Sequence, residues 1–165
     1  MTYRAEIDGL RAIALIFVVL YHFFPKLLPS GYLAVDIFFV ISGYLITKHI
    51  LKAKSNDVVL TLKHFYTRRI KRLFPALFVF LSISALVLLF ILLNSDYTKF
   101  ISSLIAAQTF WANIFFWRDG GYFGGNDQLK PLLHTWSLSV EEQFYLLYPI
   151  FIIFSLWVKK KLSLP

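Results

Sequence analysis

The chain has 165 residues, 58% apolar and 19% aromatic but only 16% charged, with 17 Lys and Arg against 9 Asp and Glu for a net charge of +8. Such a composition excludes a disordered tail and argues against an ordinary water-soluble domain. The absence of cysteine excludes a disulfide framework, a thiolate metal site and a cysteine nucleophile.

The positive charge is gathered into blocks. Residues 52–72 hold Lys52, Lys54, Lys63, Arg68, Arg69, Lys71 and Arg72 against one acid, Asp57, and residues 159–161 are all lysine. Basic clusters that flank apolar runs mark the cytoplasmic side of a membrane protein. Other charge-bearing chemistry finds little support. The four histidines, His22, His49, His64 and His134, lie outside any H-E-x-x-H pattern, and the glycines at 120, 121, 124 and 125 lack the Lys-Ser/Thr ending of a phosphate-binding loop, so neither a metal centre nor a bound cofactor is expected. The basic patch is short and the chain lipid-bound, which disfavours nucleic acid as a partner.

In chain order, residues 12–25 form a short uncharged run that spans a bilayer if Arg11 snorkels to the interface. A secretory signal peptide is the rival reading, disfavoured by Glu6 and Asp8 in its head and by the lack of a small-x-small site after Phe24. Residues 27–47 carry one charge, Asp36, and after the Pro29, Ser30, Gly31 turn they predict a second helix that ends near Lys48 and packs on the first. Ser42, Gly43 and Tyr44 read as a break in it, with Gly43 allowing close helix contact. The surest span is residues 73–95, uncharged over 23 positions where ~20 are needed, with Pro75 in its first turn.

Residues 101–117 are uncharged but carry Ser102, Ser103, Gln108 and Asn113. If both basic blocks are cytoplasmic, an even number of crossings separates them. Residues 73–95 and 140–158 supply two, which makes 101–117 a re-entrant or interfacial helix on the outer side, with 118–139 outside. The last span opens with Glu141 and Glu142, contains Pro149 and closes at the lysine triplet. The expected fold is therefore all-α, a multi-pass transmembrane bundle of four to five apolar helices, with a cytoplasmic N-terminus. The chain stops soon after its last span, as the N-terminal piece of a longer membrane protein does.

Arg11 and His22 are eleven residues apart, ~1,100° around a helix and so ~20° past three whole turns, on one face and ~16 Å apart along the axis. The pair could hold an extended ligand, its anionic end on Arg11 and its reactive end by His22. An anchoring Arg and an interfacial His is the plain alternative. Arg69 and Arg72 share a face at i, i+3, a spacing that suits a phosphate or pyrophosphate; taken alone, a topology marker touching lipid phosphates explains them better.

Residues 134–145 (HTWSLSVEEQFY) are the densest polar and aromatic stretch, with His134 and Trp136 as supporting candidates. Ser139 followed by Glu142 reads as a capping box, which assigns Glu142 a structural task. Glu141, aligned with Tyr145 and Tyr148 at i+4 and i+7, is favoured as the working carboxylate, against the reading that it complements the helix dipole. Asp36 fits the outer first turn of its helix better than catalysis, and Ser42 is a further supporting candidate.

Taken together, residues 7–11 (IDGLR), the Arg11 to His22 spacing, residues 35–45 (VDIFFVISGYL), 69–72 (RIKR) and 134–146 (HTWSLSVEEQFYL) resemble the acyltransferase 3 family of integral membrane acyltransferases, over nearly the whole chain. The resemblance implies transfer of an acyl group, commonly acetyl, from cytoplasmic acyl-CoA to a hydroxyl of a cell-surface polysaccharide or similar glycan, at the bacterial inner membrane. It carries the family's essential Arg and His onto Arg11 and His22, its arginine pair onto Arg69 and Arg72, and its acidic residue onto Glu141. The arginines would then hold coenzyme A phosphates, while His22 would act as base or acyl carrier and Glu141 would orient an imidazole or assist proton transfer. Family members typically have about ten transmembrane helices, so these 165 residues would be the N-terminal part of such a domain. A transporter using Asp36, His22 and Glu141 as a proton path, or a non-catalytic membrane subunit, are the competing readings.

Overall fold

A computed structural model describes residues 4–51, 58–120 and 130–162; Lys52, Lys54, Asp57, Gly121, Gly124 and Gly125 of the sequence reading lie outside these. All regular structure among the described residues is helical. The chain forms two compact units, Met1–Lys52 and Ala53–Pro165.

In the first unit, α1 (Ala5–Phe23) begins before the uncharged run and takes in the IDGLR segment, with Glu6 and Asp8 in its first turn, where acids complement the helix dipole. A 3-10 turn (Gly31–Leu33) leads into α2 (Ala34–Leu51). The two helices pack together as expected. Ala14 of α1 is fully buried, and α2 turns inward the stripe Ala34, Ile41, Ser42, Ile46 and Ile50, a spacing that keeps one helical face. Gly31 fits because it has no side chain: a Cβ there would lie 2.8 Å from the Phe17 carbonyl oxygen and 2.7 Å from Tyr21 Cβ. The expected break at Ser42, Gly43 and Tyr44 is absent and α2 runs straight through. One glycine costs a helix only about 1 kcal/mol, and the buried Ile41 and Ile46 hold both sides of it in place.

The second unit holds α3 (Val58–Ile91), α4 (Asn94–Gln108), α5 (Ala112–Arg118) and α6 (Thr135–Lys161). α3 starts well before the charge-free run because lysine and arginine are good helix formers. This corrects the placement of Pro75, which sits deep inside α3 rather than in its first turn and leaves the Lys71 carbonyl without its helical donor.

Among the described residues two helical stretches, Gly31–Leu51 and Leu62–Ile91, are long and apolar enough to cross a membrane, rather than the four or five expected. The others fall short for visible reasons. α1 carries Glu6, Asp8 and Arg11 in its first two turns, α6 carries Glu141 and Glu142, and α4 and α5 have 15 and 7 residues where ~20 are required. α3 leaves a long row of apolar side chains uncovered, up to Phe90 at 86% exposure, a surface suited to lipid rather than water.

Residues 101–117 form two helices, not one. α4 ends with Phe110 in the left-handed region (φ 57°), with Trp111 N–H donating to the Ala106 carbonyl at 2.8 Å and Phe110 N–H to that of Ala107 at 3.2 Å. This is a Schellman cap with phenylalanine in the place glycine usually takes. The chain then doubles back: α5 packs on α4, and the start of α4 and the end of α5 wall the same cavity. Leu77, Leu81, Phe100, Ala107, Ala112, Phe116 and Leu132 form the core beneath this hairpin.

α6 starts at Thr135, whose hydroxyl donates to the Leu132 carbonyl at 2.7 Å. The expected capping box is therefore not formed. Ser139 lies a full turn inside the helix, where its hydroxyl donates to the Thr135 carbonyl at 3.1 Å and accepts Ala112 N–H at 3.2 Å. That second bond satisfies a first-turn N–H of α5, which has no carbonyl acceptor within its own helix.

Candidate active site

The arginine of α3 and the two glutamates of α6 meet in one cluster. Arg69 Nε donates to Glu142 Oε1 at 2.9 Å and Nη2 to the same oxygen at 2.8 Å, while Nη2 lies 3.4 Å from Glu141 Oε1. The Tyr145 hydroxyl donates to Glu141 Oε1 at 2.6 Å, which realises the expected i, i+4 alignment. The guanidinium carbon stands 3.3 Å from the centroid of the Tyr145 ring, a cation–π contact. Side-chain exposures of 25% for Arg69 and 13% for Glu142 mean that neither charge is well hydrated, so each depends on the other. Glu142 is the principal ion-pair partner of Arg69, not a helix cap.

Around this cluster the backbone is tied down by polar side chains, of which Tyr66 and Gln143 are not among the candidates read from the sequence. Pro149, inside α6, cannot donate to the Tyr145 carbonyl four residues back. The Tyr66 hydroxyl of α3 takes that place, within 3.2 Å of the carbonyls of Tyr145 and Leu146. Gln143 and Asn113 exchange two amide hydrogen bonds at 3.0 Å, and Gln143 Nε2 also donates to the Phe110 carbonyl at 2.8 Å. The strained turn between α4 and α5 is thereby pinned to α6. Two signals pointed here: a glutamine among apolar residues, which needs partners when desolvated, and a proline inside a predicted helix.

Arg69, Glu142, Gln143 and Tyr66 form the polar wall of a cavity of about 520 Å³. Its other walls are apolar, among them Phe74, Phe110, Trp111 and Leu147. One end can hold a charged or hydrogen-bonding group and the other an aliphatic one, within the ~300–1,000 Å³ typical of ligand pockets.

The remaining candidates are placed as follows. Arg72 is exposed on α3 and has no ion-pair partner among the described residues, so Arg69 is engaged by carboxylates while Arg72 projects outward. His134 occupies the N-cap position of α6, exposed, with its ring edge-on to Phe80 at 5.5 Å; Trp136 is half-buried two residues on. In the first unit, Asp36 is exposed in the first turn of α2 and Ser42 is buried in its packed face. Arg11 lies near Asp8, Nη1 to Oδ1 at 3.8 Å. His22, exposed in the last turn of α1, has Nδ1 2.7 Å from the Val18 carbonyl oxygen. A carbonyl can only accept, so Nδ1 carries a proton, and the tautomer this selects for the uncharged ring has its lone pair on Nε2. Among the described residues no three acidic or histidine side chains gather as a metal-binding group.

Comparison with known proteins adds a family. The chain is 40% identical over 163 residues to a Staphylococcus aureus protein named "Putative O-acetyltransferase", covering 98% of this chain and 26% of that protein. It is 38% identical over 161 residues to the peptidoglycan O-acetyltransferase OatA of Listeria monocytogenes, covering 95% of this chain and 25% of the relative. The chain thus spans about a quarter of the length of these relatives. No solved structure matches it. A family model described as an acyltransferase domain matches residues 4–164, and the chain belongs to this acyltransferase 3 family.

Proposed function

We propose that the chain is the N-terminal part of a multi-pass membrane O-acetyltransferase that moves an acetyl group from acyl-CoA to a hydroxyl of a cell-surface glycan, with peptidoglycan as the leading acceptor. The observation that carries this reading is the cluster of Arg69, Glu142 and Tyr145 on the wall of a largely apolar cavity, with Glu141 bonded to it from behind the lining. The names of the relatives supply the acceptor class. In this reading the basic stretch around Arg69 and Arg72 faces the cytoplasm at the bacterial inner membrane, as does the N-terminus. Arg11, Arg69 and Arg72 attract the phosphates of the donor, and exposed Arg72 is the readiest of them.

His22 acts as the base. Its Nδ1–H is held by Val18, so Nε2 takes the proton of the acceptor hydroxyl as the oxygen attacks the thioester carbonyl carbon. The C–S bond then breaks, the ester is formed, and coenzyme A leaves as a thiolate that recovers the proton. Glu141 serves within its own cluster, where it fixes Tyr145 and shares the charge of Arg69.

The test uses the full-length protein in sealed vesicles, with labelled acetyl-CoA on the side of Arg72 and a soluble glycan on the other. Label should appear as an alkali-labile ester on the glycan. Label that stays on coenzyme A or goes only to water overturns the reading.

A further inference from the structure

The second unit holds another cavity, of about 510 Å³, that shares no lining residue with the first. It lies at the far end of the α4–α5 hairpin: the start of α4 and the end of α5 wall it, with Leu92 just beyond α3. From Arg69 to Leu92 is 23 residues, about 35 Å along a helix, slightly more than the ~30 Å hydrocarbon core of a bilayer. Along α3 the two cavities thus lie toward opposite ends of the helix, while on α5 the neighbours Ile114 and Phe115 line one each.

Their chemistry differs. The wall here carries charges of both signs and hydroxyls. Asp96 and Lys99 are exposed on the first turns of α4, and Ser102 follows. Lys130, its side chain only 13% exposed, bonds to Asp119 through both the carboxylate at 3.1 Å and the main-chain carbonyl at 2.7 Å. Phe115 and Phe116 add aromatic surface. An apolar ligand would leave Asp96 and Lys99 desolvated without partners. A simple anion would meet two carboxylates. A sugar ring satisfies all of them: its hydroxyls donate to carboxylates and accept from ammonium groups, and its C–H face covers an aromatic ring.

We propose that this cavity holds a sugar of the acceptor glycan on the outer side of the membrane. The proposal rests on the acetyl-transfer reading above and adds where the acceptor is held. The hairpin brings its walls together because it turns back at Phe110 instead of crossing.

The test takes the full-length protein in lipid nanodiscs with acetyl-CoA and a β-1,4-linked N-acetylglucosamine tetrasaccharide. Asp96→Asn, Lys99→Gln and Ser102→Phe, the last to fill the cavity, are compared with the wild type, each checked for an unchanged melting temperature. Each should raise the acceptor KM by about tenfold, the loss of one charge-assisted hydrogen bond or its space, while the KM for acetyl-CoA stays put. Saturation-transfer NMR of the tetrasaccharide without acetyl-CoA should weaken in parallel. An active wild type with acceptor KM unchanged in all three variants overturns this site and leaves the transfer reading standing. A wild type that acetylates no glycan sinks the transfer reading and this inference with it.

Discussion

The Tyr66 hydroxyl lies 3.2 Å from the Tyr145 carbonyl oxygen, the acceptor that Pro149 strips of its helical donor. A residue of α3 thus completes the hydrogen bonding of α6 at the point where α6 is weakest. Tyr66→Phe should lower stability by about 1–3 kcal/mol, the cost of a polar group left unpaired away from water. Pro149→Ala restores an N–H to that carbonyl, so Tyr66→Phe should cost much less in a Pro149→Ala background. Thermal melting of the four proteins in detergent gives the cycle, and strict additivity would refute the coupling.

Glu142 receives both short bonds from Arg69 at 2.9 and 2.8 Å, whereas Glu141 stands at 3.4 Å. Glu142→Gln should therefore destabilise the protein more than Glu141→Gln, by about 1–3 kcal/mol after allowance for partial exposure of the pair. Arg69→Lys should behave like Glu142→Gln despite its retained charge, because lysine lacks the fork and the flat face that rests on Tyr145. Equal melting temperatures for the two glutamine variants would contradict this.

Gly31 and Gly9 make a matched pair. A Cβ at Gly31 meets the Phe17 carbonyl at 2.8 Å, while one at Gly9, within α1, meets nothing within 4 Å. Gly31→Ala should cost about 1–3 kcal/mol through displaced backbone. Gly9→Ala should raise stability by about 0.5–1 kcal/mol through helix propensity. Chemical unfolding in mixed micelles reads both signs.

His22→Ala should abolish acetyl transfer by the full-length protein without lowering its melting temperature, since the ring is exposed and its one bond is to its own helix. His22→Asn should also be inactive, because an amide can reach Val18 but offers no basic nitrogen. Wild-type turnover in either variant would remove the base from the mechanism.

Arg72→Ala should weaken binding of labelled acyl-CoA roughly fivefold, a loss near 1 kcal/mol for an exposed phosphate contact, and leave the melting temperature unaltered. Arg69→Ala should change both. Identical affinities for wild type and Arg72→Ala would exclude Arg72 as a donor contact.

Much of this arrangement could be read from residue order. The turn at Pro29, Ser30 and Gly31, the apolar length of α3 and the alignment of Glu141 with Tyr145 each follow from composition or spacing. What escaped did so for definite reasons. The edge of a charge-free run does not mark the start of α3, because a helix backbone continues through arginine and lysine, and Pro75 therefore lies inside the helix rather than at its end. Ser139 and Glu142 have the spacing of a cap wherever they fall in a helix, and the true start at Thr135 depends on the turn at Leu132. Phe110 carries no mark of a left-handed residue. Its conformation comes from the Gln143 bond and the Ala106 and Ala107 carbonyls, long-range and local partners that only the folded chain brings together.

The reciprocal amides of Asn113 and Gln143, with the third bond to Phe110, act as a register pin. Sliding α6 by one turn, ~5.4 Å, would sever all three at once, with no intermediate offset at which they could re-form. Any piston motion of α6 during turnover must then be a discrete jump rather than a glide, and its frequency is governed by two side-chain amides.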